Sequence, residues 1–179
     1  MLQWLYTKTK GAAHMLEFSE ARSAADYAAI ENLARPIWHE CFADIISGAQ
    51  IDYMLERFLT ADVMQQYAHN GYRFWLVTEN GDAVGFMSMH AEERRMFLSK
   101  VYLLASHRGK GHGRRMLAFA DECTRDAGLE AVYLTVNRGN TRAIEVYLRC
   151  GYEIIAEQQA DIGNGFVMDD YVMERRLPV

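Results

Sequence analysis

The chain has 179 residues, of which 50% are hydrophobic and 24% charged, and its formal net charge is -5 at pH 7. This length suits one domain with a substantial core, and the negative charge argues against non-specific nucleic-acid binding. No apolar run approaches the roughly 18 residues of a membrane span. The three cysteines are scattered, without the spacing of a disulfide framework or a zinc site. We therefore expect a cytoplasmic protein with no metal, no nucleic-acid partner and no membrane partner.

The N-terminal part of the chain predicts a lead-in, a short strand and then helices. Residues 1–14 lack periodicity and are expected to form a flexible lead-in, so the expected domain covers residues 15–179. After a short strand at 16–19, apolar residues at helical spacing predict a helix over 24–39, which Pro36 should kink or end. Two shorter helices are expected at 52–59 and 62–69.

The middle of the chain predicts a hairpin followed by a buried strand. Segments 72–79 and 83–89 alternate well enough for paired strands, and an Asn-Gly-Asp sequence at 80–82 provides the turn. The charged segment 90–95 favours a loop or a strand edge. Segment 97–104 is rich in β-branched, aromatic and aliphatic residues and predicts a buried strand.

The last third predicts a strand, a helix and a second hairpin. A compact apolar strand is expected at 131–136, and a helix is expected to open at Asn140 and close at Gly151. Strands at 152–160 and 166–177 flank a Gly-Asn-Gly turn. Hairpins at both ends with helical crossovers between them predict an α/β (α+β) fold, with a mixed central sheet of about seven strands and helices on both faces.

The segment between the buried strand and the next helix has the composition of an anion-binding loop. Arg108 to Gly113 contains three glycines and two cations, and Arg114 and Arg115 follow in the first turn of an amphipathic helix. The positive end of the helix dipole lies at this N-terminus, so cations are disfavoured there unless an anion binds among them. A diphosphate is the natural candidate. Neither the P-loop pattern nor the dinucleotide fingerprint with its third glycine fits this segment.

A second pattern lies on the last predicted helix. Asn140 precedes the helix, and Ala143 and Tyr147 lie four residues apart on one face. The small residue leaves room for a slender chain, and the tyrosine hydroxyl projects beyond it. Taken alone, the pattern is also explained without any ligand, by a helix cap at Asn140 and a core aromatic at Tyr147.

Together, the Arg108-x-x-Gly111-x-Gly113 loop and the Asn140–Tyr147 helix resemble the GCN5-related N-acetyltransferase (GNAT) family across residues 72–177. The resemblance implies the GNAT fold and direct transfer of an acetyl group from acetyl-CoA to an amine. It implies that Tyr147 is the general acid that protonates the departing thiolate. The cofactor contacts that it implies are Val101 and Leu103 through their backbones, with Arg108, Gly109, Lys110, Gly111, His112, Gly113, Arg114, Asn137 and Asn140.

The same resemblance leaves the general base and the acceptor open. Many family members carry a glutamate where this chain has Ser99 or Thr135, so no base is assigned. The segment 161–175 resembles PaiA-like polyamine acetyltransferases and suggests a small polyamine-like primary amine as substrate. Candidate acceptor-site residues are Trp38, Phe42, Glu92, Ser99 and Asp169.

Two alternatives to a small-molecule acetyltransferase stay open at this point. One is acetylation of a protein N-terminus or lysine, and the other is a CoA-binding sensor module without catalysis. Asp161 and Asp170 are further acidic residues of the last hairpin that offer charge to an amine. A homodimer is compatible with the sequence, which contains nothing that fixes the oligomeric state.

Overall fold

The computed structural model describes residues 16–178. The predicted lead-in at 1–14 lies outside the described residues. The strands are β1 Leu16–Glu20, β2 Tyr72–Glu79, β3 Asp82–Ala91, β4 Arg95–Leu103, β5 Ala131–Asn137, β6 Glu153–Gly163 and β7 Phe166–Arg176. The helices are α1 Ala24–Phe42, α2 Gly48–Phe58, α3 Ala61–His69, α4 His112–Asp126 and α5 Thr141–Arg149.

The seven strands form one sheet in the order β1-β2-β3-β4-β5-β7-β6. All neighbouring strands are antiparallel except β4 and β5, which are parallel. Two hairpins turn at Asn80-Gly81 and Asn164-Gly165, where all four residues have positive φ, as a type I′ turn requires. The predicted mixed α/β sheet of about seven strands is confirmed.

Helices cover both faces of the sheet and bury two separate apolar clusters. On one face, α4 packs Met116, Leu117 and Ala120 against the sheet, and this side is called the α4 face below. On the other, α1 packs Ile30, Ile37 and Trp38 with α2 and α3, and this side is called the α1 face. None of the described helices is long and apolar enough to cross a membrane.

Three boundaries differ from the sequence prediction. The helix α1 continues through Pro36 to Phe42, because Ile37, Trp38 and Phe42 are buried in the α1-face core while Pro36 itself is exposed. The helix α2 begins at Gly48, where Ser47 caps it by accepting a hydrogen bond from the Gln50 N–H. Segment 90–95 is half strand and half turn, since β3 runs to Ala91 and β4 begins at Arg95.

Candidate functional site

The strands β4 and β5 pair only at their first residues and then separate. Their register covers Arg95↔Ala131, Met96↔Val132 and Phe97↔Tyr133 and ends there. Beyond this point β4 keeps its pairing with β3 as far as Leu103, so one side of β4 borders a gap. This gap, called the splay below, lies in the middle of the sheet.

The backbone of β4 offers hydrogen-bonding groups to the splay. The Leu104 N–H donates to the Val84 carbonyl at 2.9 Å, so this residue faces β3. Backbone groups alternate between the two sides of an antiparallel strand, which directs those of Val101 and Leu103 away from β3. The two residues predicted to hold an extended cofactor arm therefore face the gap that such an arm would need.

The loop after β4 ends at a helix N-terminus with no side-chain cap. Ser23, Ser47, Thr60 and Asn140 cap the other four described α-helices with side-chain oxygens. The N-cap of α4 is Gly111, in the left-handed region at φ 84°, and it has no side chain to offer. The first amides of α4 therefore stay available to an external anion, which the helix dipole also favours.

The cations of this loop divide into two groups. Lys110, Arg114 and Arg115 are exposed, and none of them has an ion-pair partner among residues 16–178. Arg108 differs, because its Nε and Nη2 donate to the Leu103 carbonyl at 3.0 and 2.9 Å. Its Nη1 lies 3.5 Å from Glu40 of α1. Its guanidinium therefore ties α1 to the end of β4 and does not point at the predicted phosphate position.

The side chain of His112 also points away from the loop. It is 3% exposed, and its Nε2 lies 2.8 Å from Oε1 of Glu79 at the end of β2. His107 approaches the other oxygen of the same carboxylate at 3.3 Å. Any contact of His112 with a phosphate would thus use its backbone N–H. The sequence contains no spacing signal that points to Glu79.

The helix α5 presents the second predicted group of residues. The Asn140 Oδ1 accepts a hydrogen bond from the Ala143 N–H at 3.2 Å, and the Asn137 Oδ1 accepts one from the Gly139 N–H at 2.9 Å. Each amide NH₂ group remains a donor without a partner among the described residues. Both side chains therefore combine a local structural role with a free donor.

Tyr147 is half-buried, and its ring centroid lies 5.7 Å from that of Tyr152. Burial raises the pKa of the Tyr147 hydroxyl well above its ordinary value, and Cys41 and Cys150 act in the same direction. The hydroxyl is consequently protonated at neutral pH. It has no hydrogen-bond partner within the described part of the chain, so it is available as a donor.

An aromatic wall lines the α1 face next to the splay. The Trp38 ring centroid lies 5.2 Å from that of Phe42 and 5.5 Å from that of Tyr102. Trp38 and Phe42 were expected near an acceptor, whereas Tyr102 was not identified from the sequence. Burial raises the pKa of the Tyr102 hydroxyl, and Tyr147, Cys41 and Asp170 add to the effect.

The three polar acceptor candidates from the sequence are already engaged. Glu92 accepts a hydrogen bond from the Tyr133 hydroxyl at 2.7 Å. The Ser99 hydroxyl accepts one from Lys100 at 2.9 Å, at a β-bulge where Ser99 is the extra residue of β4. Asp169 lies 3.7 Å from Arg138, and strand alternation places it on the opposite face from Asp170.

Two charged groups on the α1 face, one buried and one half-buried, have no counter-charge among residues 16–178. Asp170 is 4% exposed, and burial raises its pKa to about 6, with a smaller contribution from Asp169. Lys100 is half-buried, and burial lowers its pKa to about 8. Strand alternation puts Lys100 on the same face as Tyr102. Neither group forms an ion pair with the other.

Comparison with known proteins agrees with this geometry. The family profile described as Acetyltransferase (GNAT) family matches residues 27–152. The Escherichia coli protein named Uncharacterized N-acetyltransferase YjgM is 30% identical over 98 residues, which cover 52% of this chain and 59% of that protein. Streptothricin acetyltransferase of Streptomyces lavendulae is 33% identical over 81 residues, or 44% of this chain and 43% of the enzyme. The chain thus spans less than two thirds of the length of these relatives.

Solved structures share the fold at low sequence identity. The PaiA N-acetyltransferase from Thermoplasma acidophilum, in complex with coenzyme A, superposes with a TM-score of 0.76 at 19% identity, covering 91% of this chain and 99% of that one. A GNAT family acetyltransferase from Elizabethkingia anophelis with acetyl-CoA bound gives a TM-score of 0.62 at 10% identity, covering 90% and 98%. At these identities, the likeness concerns the fold alone.

Proposed function

Since the chain belongs to the acetyltransferase (GNAT) family, we propose that it transfers an acetyl group from acetyl-CoA directly to a primary amine of a small molecule. The observation that carries the proposal is the pair formed by the splay and the uncapped N-terminus of α4. The strands β4 and β5 part after Phe97 and Tyr133, and the free amides beginning at His112 follow β4. An extended arm with a diphosphate at one end matches both features.

The residues of this chain fit such a cosubstrate in two places. Gly109, Gly111 and Gly113 allow close approach of an anion, and the exposed Lys110 and Arg114 supply positive charge beside the α4 amides. The backbone groups of Val101 and the N–H of Leu103 would pair with the pantetheine amides as a neighbouring strand does, since the Leu103 carbonyl already accepts from Arg108. The NH₂ groups of Asn137 and Asn140 are further donors on the opposite side of the gap.

Acetyl-CoA would supply an activated acetyl group and a thiolate leaving group. The chain contributes orientation and proton transfer. A backbone N–H near Leu103 would stabilise negative charge that develops on the carbonyl oxygen. Holding both reactants in line removes part of the entropic barrier. The Tyr147 hydroxyl, kept protonated by burial, would donate to the leaving sulfur.

The choice of a small, polyamine-like acceptor rests on two supports. The sequence of the last hairpin resembles PaiA-like polyamine acetyltransferases, and a PaiA N-acetyltransferase has the same fold. The β6–β7 hairpin also packs against α2 on the α1 face, the side that carries Trp38 and Phe42. Tyr53 of α2 donates to the Ile162 carbonyl at 2.6 Å, and Gln50 donates to the Val167 carbonyl at 2.9 Å. A hairpin held against α2 beside the expected acceptor residues favours a small amine over a folded protein.

Ligand-dependent thermal unfolding tests the cosubstrate. Acetyl-CoA at 100 times its Kd should stabilise the native state by about 2.7 kcal/mol, whereas NADH should leave Tm unchanged. Release of free thiol in the presence of spermidine and other primary amines then tests turnover. Absence of a shift at saturating acetyl-CoA would overturn the proposal.

The substitution Tyr147→Phe separates catalysis from binding. It removes the proposed proton donor and keeps the ring, so kcat should fall by about 100-fold while the acetyl-CoA Kd changes little. The control Tyr171→Phe removes a hydroxyl from a β7 tyrosine on the α4 face, and its kcat should match the parent protein. An unchanged kcat for Tyr147→Phe across the pH range would exclude the acid role.

A further inference from the structure

Asp170 is a buried carboxylate that lacks a partner where other buried carboxylates have one. Glu79 lies 2.8 Å from His112, and Asp121 lies 2.8 Å from Arg175. No hydrogen bond or ion pair within residues 16–178 reaches the carboxyl of Asp170, although it is only 4% exposed. A buried charge without a partner is costly, so a protein that keeps one there needs an occupant for it.

The position of Asp170 places this carboxylate at the splay. It lies opposite Asn137 in the β5–β7 register, at the end of β5 that has separated from β4. Strand alternation turns it toward the α1 face, which also carries Met168 of the same strand. Tyr102 lies on the same face of β4, and Asp170 and Tyr147 both contribute to the raised pKa of its hydroxyl, after the larger effect of burial. The unpartnered carboxylate therefore lies at the edge of the splay, at the end of β5 that has separated from β4.

The surroundings of Asp170 suit a cation with an apolar body. Trp38 and Phe42 pack against Tyr102, and aromatic faces attract cations as well as alkyl chains. The Trp38 Nε1 is buried with no hydrogen-bond partner in the described residues, as is the Ser88 hydroxyl on the same side of the sheet. An alkylammonium would satisfy the carboxylate and bury its chain against the rings.

We propose that Asp170 receives the ammonium group of the acceptor and takes its proton, which makes it the general base that the sequence alone did not identify. This inference rests on the proposed function, because it assumes that an acetyl thioester occupies the splay. The substrate class that follows is a primary amine that is cationic at neutral pH, with an unbranched apolar segment next to the nitrogen.

The proton balance of the step is complete with the groups at hand. The ammonium gives one proton to Asp170, and the neutral nitrogen attacks the acetyl carbon. The C–N bond forms and the C–S bond breaks. The departing thiolate takes the proton of Tyr147, and the second proton lost by the nitrogen restores the tyrosine. The proton on Asp170 passes to water when the amide product leaves.

The charged and titratable groups around Asp170 define its pH dependence. Asp169 of β7 acts on Asp170 directly. Asp170, Tyr147 of α5 and Cys41 of α1 all act on Tyr102 of β4, and Lys100 lies farther along β4 on the same face. The phenols and the thiol are neutral below pH 8, since burial raises the pKa of each. The carboxyl of Asp170, with a pKa of about 6, is then the group that limits activity on the acid side. Between pH 7 and pH 5, kcat/KM for the amine should fall.

The deciding experiment compares Asp170→Asn with the parent protein and with Asp121→Asn as a matched control. Asp121 is an equally buried aspartate that contacts β7 from the α4 face. We expect all three proteins to bind acetyl-CoA with similar Kd in calorimetry. With spermidine, tyramine and butylamine as probes, Asp170→Asn should lose at least about 100-fold in kcat/KM and lose the acid limb near pH 6. Asp121→Asn should stay within about threefold of the parent kcat/KM, because its carboxylate is paired with Arg175 on the α4 face.

The possible failures are distinguishable. If the parent protein does not bind acetyl-CoA, the proposed function fails. If it binds acetyl-CoA and turns over an amine, but Asp170→Asn keeps kcat/KM or its acid limb, the role of Asp170 is excluded. A parent protein that binds acetyl-CoA and acetylates none of the three amines also contradicts the inference.

Discussion

Each face of β7 borders one buried aspartate, and only the aspartate on the α4 face has a cation beside it. On the α4 face, Asp121 lies 2.8 Å from Arg175, and this arginine opposes the rise in the carboxyl pKa that burial causes. On the α1 face, Asp170 is equally buried and has no cation beside it among residues 16–178. The α4 face is thus built for stability, whereas the α1 face retains an unfavourable charge next to the splay. Stability measurements on variants of each face test this difference.

The largest change in stability is expected on the α4 face. Arg175→Met keeps most of the apolar stem and removes the cation from Asp121, whose carboxylate is then buried alone. Loss of one partner of a buried pair should cost about 3 kcal/mol, which corresponds to a fall in Tm of roughly 10 °C. Thermal unfolding by circular dichroism at pH 7 measures it, with the exposed Arg176→Met as the control. A Tm within about 2 °C of the parent would mean that Asp121 does not depend on Arg175, and the two aspartates would then not differ.

The opposite sign is expected for Asp170→Asn. Folding raises the pKa of this carboxyl from 3.8 to about 6, so ionisation destabilises the fold increasingly between those pH values and fully above pH 6. The variant should therefore be more stable than the parent at pH 8, by about 2 kcal/mol, and equally stable near pH 4. Urea unfolding at a series of pH values measures the difference. A variant that is less stable at pH 8 would mean that Asp170 has a partner.

A smaller gain is expected for Lys100→Met. Folding lowers the pKa of this ammonium from 10.5 to about 8, so its charge destabilises the fold below pH 8 and the penalty disappears as the pH approaches 10.5. Because Lys100 is only half-buried and donates to Ser99, the gain at pH 7 should be about 1 kcal/mol. Urea unfolding at pH 7 and pH 10 tests it, and an equal gain at both values would point to packing instead of charge.

The smallest effect is expected for an exposed pair that belongs to neither face. Arg149 donates to Glu145 at 2.8 Å on α5, and both side chains are largely exposed. Glu145→Gln should change the free energy of unfolding by no more than about 0.5 kcal/mol. The same urea titration at pH 7 provides the value. A cost as large as that of Arg175→Met would show that burial does not govern these ion pairs.

Much of the fold follows from local signals in the sequence. The Asn-Gly pairs at 80–81 and 164–165 fix both hairpins because those residues tolerate positive φ. The strand, glycine loop and helix around Arg108 were predicted in that order and are confirmed, as is membership of the GNAT family. The continuation of α1 past Pro36 was not predictable, because it depends on apolar contacts with distant strands and not on local propensity.

The site was harder to predict from the sequence, because the orientation of its side chains depends on contacts between residues that lie far apart in the chain. The loop pattern located the uncapped helix, but the inward orientation of Arg108 and His112 depends on Glu40 and Glu79, which lie far away in the chain. The acidic residues of the last hairpin were recognised as a group. Which of Asp169 and Asp170 faces the splay depends on strand register, and register appears only once β7 pairs with β5.

The carboxylate of Glu79 anchors the glycine loop to the end of β2. It lies within 3.3 Å of His107 on one side of the loop and within 2.8 Å of His112 on the other. The last residue of β2 thereby holds both ends of a segment whose own glycines supply almost no rigidity. Tightening of the loop around an anion would consequently be transmitted through these imidazoles to the β2–β3 hairpin, and amide exchange should slow there as well as in the loop.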